Sequence, residues 1–142
     1  MKKYSSIYKL SKLAVKKLKV LKVGIVYLFG SQVENIIHPG SDLDFGIVFV
    51  NLPLKKNLPK VYYELDCILT NESSIGPAVN FDFIFLQFSS IVLQFEVINK
   101  GKVLFEINPV FRADFEEQVI RKYLIFEPLS KEYEKVTMET FT

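Results

Sequence analysis

Cysteine and histidine each occur once, at Cys67 and His38. A single cysteine excludes an internal disulfide, and a free thiol fits a reducing cytoplasm. One cysteine with one histidine also excludes the common zinc motifs. No apolar run approaches the roughly 18 residues of a membrane span. Lysines interrupt the N-terminus too often for the apolar region of a signal peptide. The expectation is a soluble, cytoplasmic protein with no membrane partner. There is no GxSxG elbow, Walker A loop or GxGxxG fingerprint, and no internal repeat or low-complexity stretch.

Acid is missing from one end. Residues 1–33 hold eight lysines and no Asp or Glu, whereas residues 34–142 hold ten Lys+Arg and 16 Asp+Glu. The lysines at 9, 12, 16 and 19 fall at helical spacing and read as a solvated helix face. Such a face could also meet a triphosphate, RNA or an acidic partner.

What is present is apolar: 49% hydrophobic and 14% aromatic residues in 142. A domain of this size buries roughly two-thirds of the surface its unfolded chain exposes. One domain over 1–142 is expected, with 109–142 as a C-terminal helical segment.

The periodicity predicts a helix over about 5–18, capped by Ser5 or Ser6, with Ile7, Leu10, Leu13, Ala14 and Leu18 on one face. The run VGIVYLF at 23–29 reads as a buried strand, and a short helix could follow over 31–37. Residues 42–50 read as a second strand, 51–59 as a loop and 60–71 as a helix with Val61, Leu65, Ile68 and Leu69 inward. In that apolar-rich helix Cys67 reads as a small hydrophobe. Residues 79–86 read as a third strand and 89–100 as a helix stopped by Gly101 at the C′ position. Val103–Phe105 is a short fourth strand. Asn108-Pro109 opens a helix expected to stop near Phe126 because of Pro128, with a last helical piece over 129–136. Strands alternating with helices predict a sheet covered by helices.

The chemistry concentrates in YLFGSQVENIIHPGSDLDFGIVF. A strand ends at Gly30-Ser31, ten residues intervene, and Asp42 and Asp44 open the next strand. Successive strand residues point to opposite faces, so Asp42 and Asp44 share one face while Leu43, Phe45, Ile47 and Phe49 take the other. Asp82 sits in a strand of the same pattern, opposite Phe81, Phe83 and Phe85. Were the strands neighbours, three carboxylates would converge. Clustered carboxylates repel one another and offer the hard oxygen donors that Mg²⁺ takes with water and phosphate. Taken singly, each is more ordinarily a surface aspartate. Gly30 permits close backbone approach to a ligand, and the Ser31 hydroxyl can donate to a phosphate oxygen. Taken alone, this pair is an ordinary strand-to-helix turn. His38 reads as an exposed loop residue, Arg121 and Tyr123 as packed or solvated helix positions, and Phe81, Phe83, Phe85 and Phe88 as core.

The pattern G-S-x10-D-x-D followed by a third Asp on a later strand resembles the DNA polymerase beta-like nucleotidyltransferase superfamily, and within it the minimal nucleotidyltransferases (MNT). The resemblance extends from the first helix to Glu132 and includes the GKVLFE turn before a charged helix. It implies an α+β nucleotidyltransferase fold, a small mixed sheet flanked by helices. It implies that Gly30 and Ser31 hold a triphosphate, that Asp42 and Asp44 bind two Mg²⁺ ions, and that Asp82 completes one metal site and accepts the proton of an attacking hydroxyl. ATP is the implied substrate and AMP the transferred group. Many relatives follow Gly-Ser with an arginine and soon another glycine. Here Gln32, Val33, Glu34 and Asn35 stand there, which removes a phosphate contact and adds a negative charge near the expected triphosphate.

The same resemblance implies a HEPN-domain toxin as partner, modified on a tyrosine, with this chain as the antitoxin of a HEPN/MNT toxin–antitoxin system. Two alternatives stay open: a non-catalytic antitoxin that neutralises the HEPN partner by contact, and a transferase acting on a small molecule or RNA. Without an obvious aromatic platform, nucleic acid is not the expected partner. Base preference and homo-oligomerisation are not legible.

Overall fold

The computed structural model describes residues 10–29, 42–71 and 80–141. Gly30, Ser31, His38 and the helix expected over 31–37 lie outside the described residues, as do the Ser5 and Ser6 caps. The elements are α1 (Lys12–Val20), β1 (Val23–Phe29), β2 (Asp42–Phe49), α2 (Leu58–Asn71), β3 (Asn80–Phe85), α3 (Ile91–Lys100), β4 (Lys102–Glu106) and α4 (Pro109–Phe141). Single 3₁₀ turns at Lys55–Asn57 and Leu86–Phe88 precede α2 and follow β3.

The four strands form one mixed sheet in the order β3-β2-β1-β4. β1 runs antiparallel to both β2 and β4, and β2 runs parallel to β3. A parallel pair needs a crossover, which α2 supplies. The fold class is therefore the expected α+β arrangement, a mixed sheet with helices on both faces.

Alternation along the strands sorts side chains into two cores. Leu43, Phe45, Ile47 and Phe49 of β2 pack with Val26, Leu28 and Phe83 against α1 and the inward stripe Val61, Leu65, Ile68 and Leu69 of α2. Phe45 stacks on Phe83 with ring centroids 5.3 Å apart and meets Phe81 edge-on at 5.7 Å. On the other face Ile25, Tyr27, Val48, Leu86 and Val97 form a second cluster, joined by Phe111 and Phe115 of α4. Where β3 ends, the Gln87 amide continues its ladder. It accepts from Phe49 N at 2.7 Å and donates to Phe49 O at 3.0 Å.

Several boundaries differ from the sequence expectation. The first described helix starts at Lys12, because the Ser11 side chain caps it by accepting from Ala14 N at 3.1 Å. Leu10 and Ser11 are not helical, and Leu13 is exposed rather than inward. Lys12, Lys16 and Lys19 are exposed, as a solvated lysine face requires. Cys67 is exposed, not a core residue. It shares the i, i+4 row of Tyr63, off the inward stripe of α2. Phe88 is also exposed, on the 3₁₀ turn beyond the end of β3.

Two helix ends depart further. Gly101 does close α3, but in extended backbone (φ −76°, ψ 165°) rather than the left-handed region. Its glycine is required by proximity instead: a Cβ there would lie 2.5 Å from the Val97 carbonyl oxygen. Pro128 does not stop the last helix, which continues through it to Phe141. Proline removes one bond, the one its N–H would make to the residue four back. That residue, Leu124, is exposed, so water can satisfy the freed carbonyl. Asn108 caps this helix by accepting from Phe111 N at 2.7 Å, as the Asn-Pro signal predicts.

Candidate active site

β1 ends where β2 and β3 begin, so three strand termini meet at one end of the sheet. The ladder sets Phe29 beside Asp44, Asp44 beside Asp82 and Asp42 beside Asn80. Parallel in-register partners on neighbouring strands share a face about 4.8 Å apart. Asp44 and Asp82 thus lie side by side, and Asp42 precedes Asp44 by one pleat period on the same strand. Asp44 is half-buried and Asp82 exposed. The side chain of Asp42 lies outside what is described, although its backbone is the first residue of β2. Phe29 is the last described residue before Gly30 and Ser31, and it pairs with Asp44.

Strand chemistry explains why aspartates can occupy these positions. They sit within the first three residues of β2 and β3, at one end of the sheet. Farther along the same face come Gly46, Val48 and Ile84, which α3 and the Leu86–Phe88 turn cover. The acid is confined to the rim and apolar residues fill the covered part.

Tyr62 joins the site without a signal in the sequence. The Tyr62 hydroxyl on α2 donates to Asp82 Oδ1 at 3.1 Å. The Tyr62 ring packs edge-on against Phe83 at 5.1 Å and Phe85 at 6.3 Å, both on the β3 face opposite Asp82. Among the described residues β3 is an edge strand, and the hydroxyl reaches around that edge. Burial, then the hydrogen bond to Asp82, then the charge of Asp82 raise the Tyr62 pKa above its ordinary value. The phenol is therefore protonated at neutral pH. No local signal marks Tyr62, because its link to Asp82 spans 20 residues and a sheet edge.

A second polar group lies on the same face, under α4. Tyr27 is buried beside Gly46, and its hydroxyl donates to Glu116 Oε2 at 2.7 Å. Arg112 binds Glu106 at 2.6 Å and Glu116 at 3.5 Å. These contacts anchor the first turns of α4 on β1 and β4. Beyond them Tyr123 stacks on Phe95 with centroids 3.9 Å apart, and Arg121 pairs with Glu117 at 2.6 Å. Neither Arg121 nor Tyr123 belongs to the aspartate site. A cavity of about 320 Å³ between α1 and α2, lined by Lys17, Tyr63, Cys67 and neighbours, contains none of the aspartates either.

Among the described residues no group of three or more His, Cys, Asp or Glu side chains is disposed to hold a metal, a set from which the Asp42 side chain is left out. The two described carboxylates, Asp44 and Asp82, are hard oxygen donors in adjacent register. That donor set suits Mg²⁺, which needs few protein ligands and takes water and phosphate for the rest. No helix among the described residues is long and apolar enough to cross a membrane.

A family model, Polymerase beta, Nucleotidyltransferase, matches residues 9–110. No curated protein sequence is significantly similar to the chain. Among solved structures, a mutant of the toxin–antitoxin MntA–HpeT is 20% identical with a TM-score of 0.64, covering 87% of this chain and 94% of that one. A toxin–antitoxin with AMP-PNP is 21% identical with a TM-score of 0.62 and the same coverage. A tri-AMPylated Shewanella oneidensis HEPN toxin in complex with MNT antitoxin is 19% identical with a TM-score of 0.55, covering 89% of this chain and 98% of that one. Each likeness is one of fold.

Proposed function

The chain belongs to the polymerase beta nucleotidyltransferase family, and we propose that it transfers AMP from ATP to the hydroxyl of a tyrosine on a HEPN-domain toxin, acting as that toxin's antitoxin. The observation that carries this reading is the register of Asp44 beside Asp82 at the end of the sheet where β1 runs out towards Gly30-Ser31. Gly30 and Ser31 would hold the triphosphate by close backbone approach and a hydroxyl donor. Asp42, Asp44 and Asp82 would hold Mg²⁺, two ions in all. Bound there, the metal would supply charge stabilisation to the attacking and leaving oxygens. Asp82, the most exposed of the described carboxylates at the sheet edge, would accept the proton of the incoming hydroxyl. The AMP-PNP and AMPylated-toxin complexes among the structural relatives support the choice of nucleotide and acceptor.

A contact-only antitoxin is the second reading, favoured by one observation. The distal turns of α4 expose Leu124, Ile125, Leu129 and Tyr133, an apolar surface fit for a protein partner. One experiment separates the two. The chain, a HEPN partner, labelled ATP and Mg²⁺ are mixed, and the partner's mass is read. Transfer predicts a partner heavier by AMP and inhibited only when ATP is present. An unmodified yet inhibited partner would favour contact alone.

A further inference from the structure

The Tyr62 hydroxyl is already held against Asp82, with its proton directed at Oδ1. A general base must lie within about 2.6–3.2 Å of the atom whose proton it takes, and 3.1 Å meets that requirement without any rearrangement. Tyr62 is not sealed away. It is 36% exposed at the rim of an edge strand, and α2 holds it in a fixed pose by packing its ring on Phe83 and Phe85. Asp82 is itself exposed and in register with Asp44. Resting on the transfer reading above, we infer that Tyr62 is an acceptor in cis, so that the domain adenylylates itself on this tyrosine when no partner hydroxyl is offered.

The step balances with ATP as the only co-reactant. Tyr62 Oη attacks the α-phosphorus, and its proton passes to Asp82. The bond from the α-phosphorus to the bridging oxygen breaks, and pyrophosphate leaves with that electron pair. The product is a phosphodiester between Tyr62 and AMP. Holding the hydroxyl beside its base removes the entropic cost of bringing a second molecule to the site. A partner tyrosine, by contrast, must displace Tyr62 from Asp82 before it can react.

The test uses the full chain with no partner. A non-hydrolysable ATP analogue with Mg²⁺ is titrated by calorimetry, and α-labelled ATP with Mg²⁺ is followed by label and peptide mass. The expected result is analogue binding together with one AMP on the peptide carrying Tyr62. Tyr62→Phe, which keeps the ring packing, should lose the adduct while still binding the analogue. Asp82→Asn should also lose it, and Tyr133→Phe should keep it. The fraction modified per unit time should be unchanged on tenfold dilution of the protein. Binding of the analogue without an adduct on Tyr62, or a rate that falls with dilution, would overturn self-modification while leaving transfer to a partner intact. Failure of the analogue to bind would overturn the transfer reading and this inference with it.

Discussion

Asp44 and Asp82 are partners in the parallel ladder of β2 and β3, so two like charges stand side by side at one end of the sheet. Two neighbouring carboxylates repel one another, and a cation between them relieves that repulsion. Replacing Asp42 and Asp44 together by Asn should therefore abolish AMP transfer while leaving the fold intact. In metal-free buffer the double variant should melt no lower than the wild type. Added Mg²⁺ should raise the wild-type melting temperature and leave the variant's unchanged. A ligand at one hundred times its Kd stabilises by about 2.7 kcal/mol, a shift that thermal scans resolve. A variant that responds to Mg²⁺ like the wild type would place the metal elsewhere.

Nucleotide affinity should depend on Ser31 modestly and on Gly30 strongly. Ser31→Ala removes one hydrogen bond to a charged oxygen, worth about 1.5–3 kcal/mol. In calorimetry with ATP and Mg²⁺ this is a loss of roughly ten- to a hundredfold in affinity. A bulky residue at Gly30 should weaken binding further by keeping the backbone off the phosphates. Equal affinity across all three proteins would remove both residues from the triphosphate site.

Local pattern made the strands legible. β1 over 23–29 and β2 from Asp42 are apolar or alternating runs with sharp ends, and the shared face of Asp42 and Asp44 follows from the period of two. The strand order was not legible, because which strands pair is decided by packing between distant segments. So the adjacency of Asp44 and Asp82 needed the sheet. The extent of α4 departs from its sequence pattern for a different reason. Pro128 reads as a stop, but its lost hydrogen bond and the clash of its ring with the carbonyl four residues back fall on an exposed turn, and the helix runs through it. Ser11 caps α1 although the apolar spacing continues through it to Ile7, so the periodicity alone does not mark it. Tyr62 falls between inward positions of α2, and only the three-dimensional edge of β3 brings its hydroxyl to Asp82.

Gly101→Ala should destabilise the fold although its backbone angles suit any residue. The added Cβ would meet the Val97 carbonyl oxygen at 2.5 Å and the Leu28 carbonyl oxygen at 3.2 Å. Both are backbone atoms, and the Val97 oxygen also accepts from Gly101 N at 2.7 Å. Relief requires α3 to move off β1. Overpacking of this kind costs about 1–3 kcal/mol, and chemical denaturation should report it at the upper end. A loss below a few tenths of a kcal/mol would show that the end of α3 yields freely.

Tyr27 should make the fold sensitive to alkali. The side chain is buried beneath α4, and burial, then the hydrogen bond to Glu116, then the charge of Glu116 push its pKa far above the ordinary value of 10. Above pH 10 the unfolded chain releases this proton while the folded chain keeps it. The unfolded state then binds fewer protons, so stability falls as pH rises. The contribution is complete below pH 10 and declines progressively above it. Tyr27→Phe removes the titration and the 2.7 Å bond together. At neutral pH the variant should lose about 1.5–3 kcal/mol, the worth of a hydrogen bond to a charged group. The low end is expected, because Arg112 still pairs with Glu116. Between pH 10 and 11.5 the stability of the wild type should fall more steeply than that of the variant, so their denaturation midpoints should converge. Parallel pH profiles would mean that Tyr27 ionises as easily in the fold as out of it, and that α4 does not seal its hydroxyl against β1.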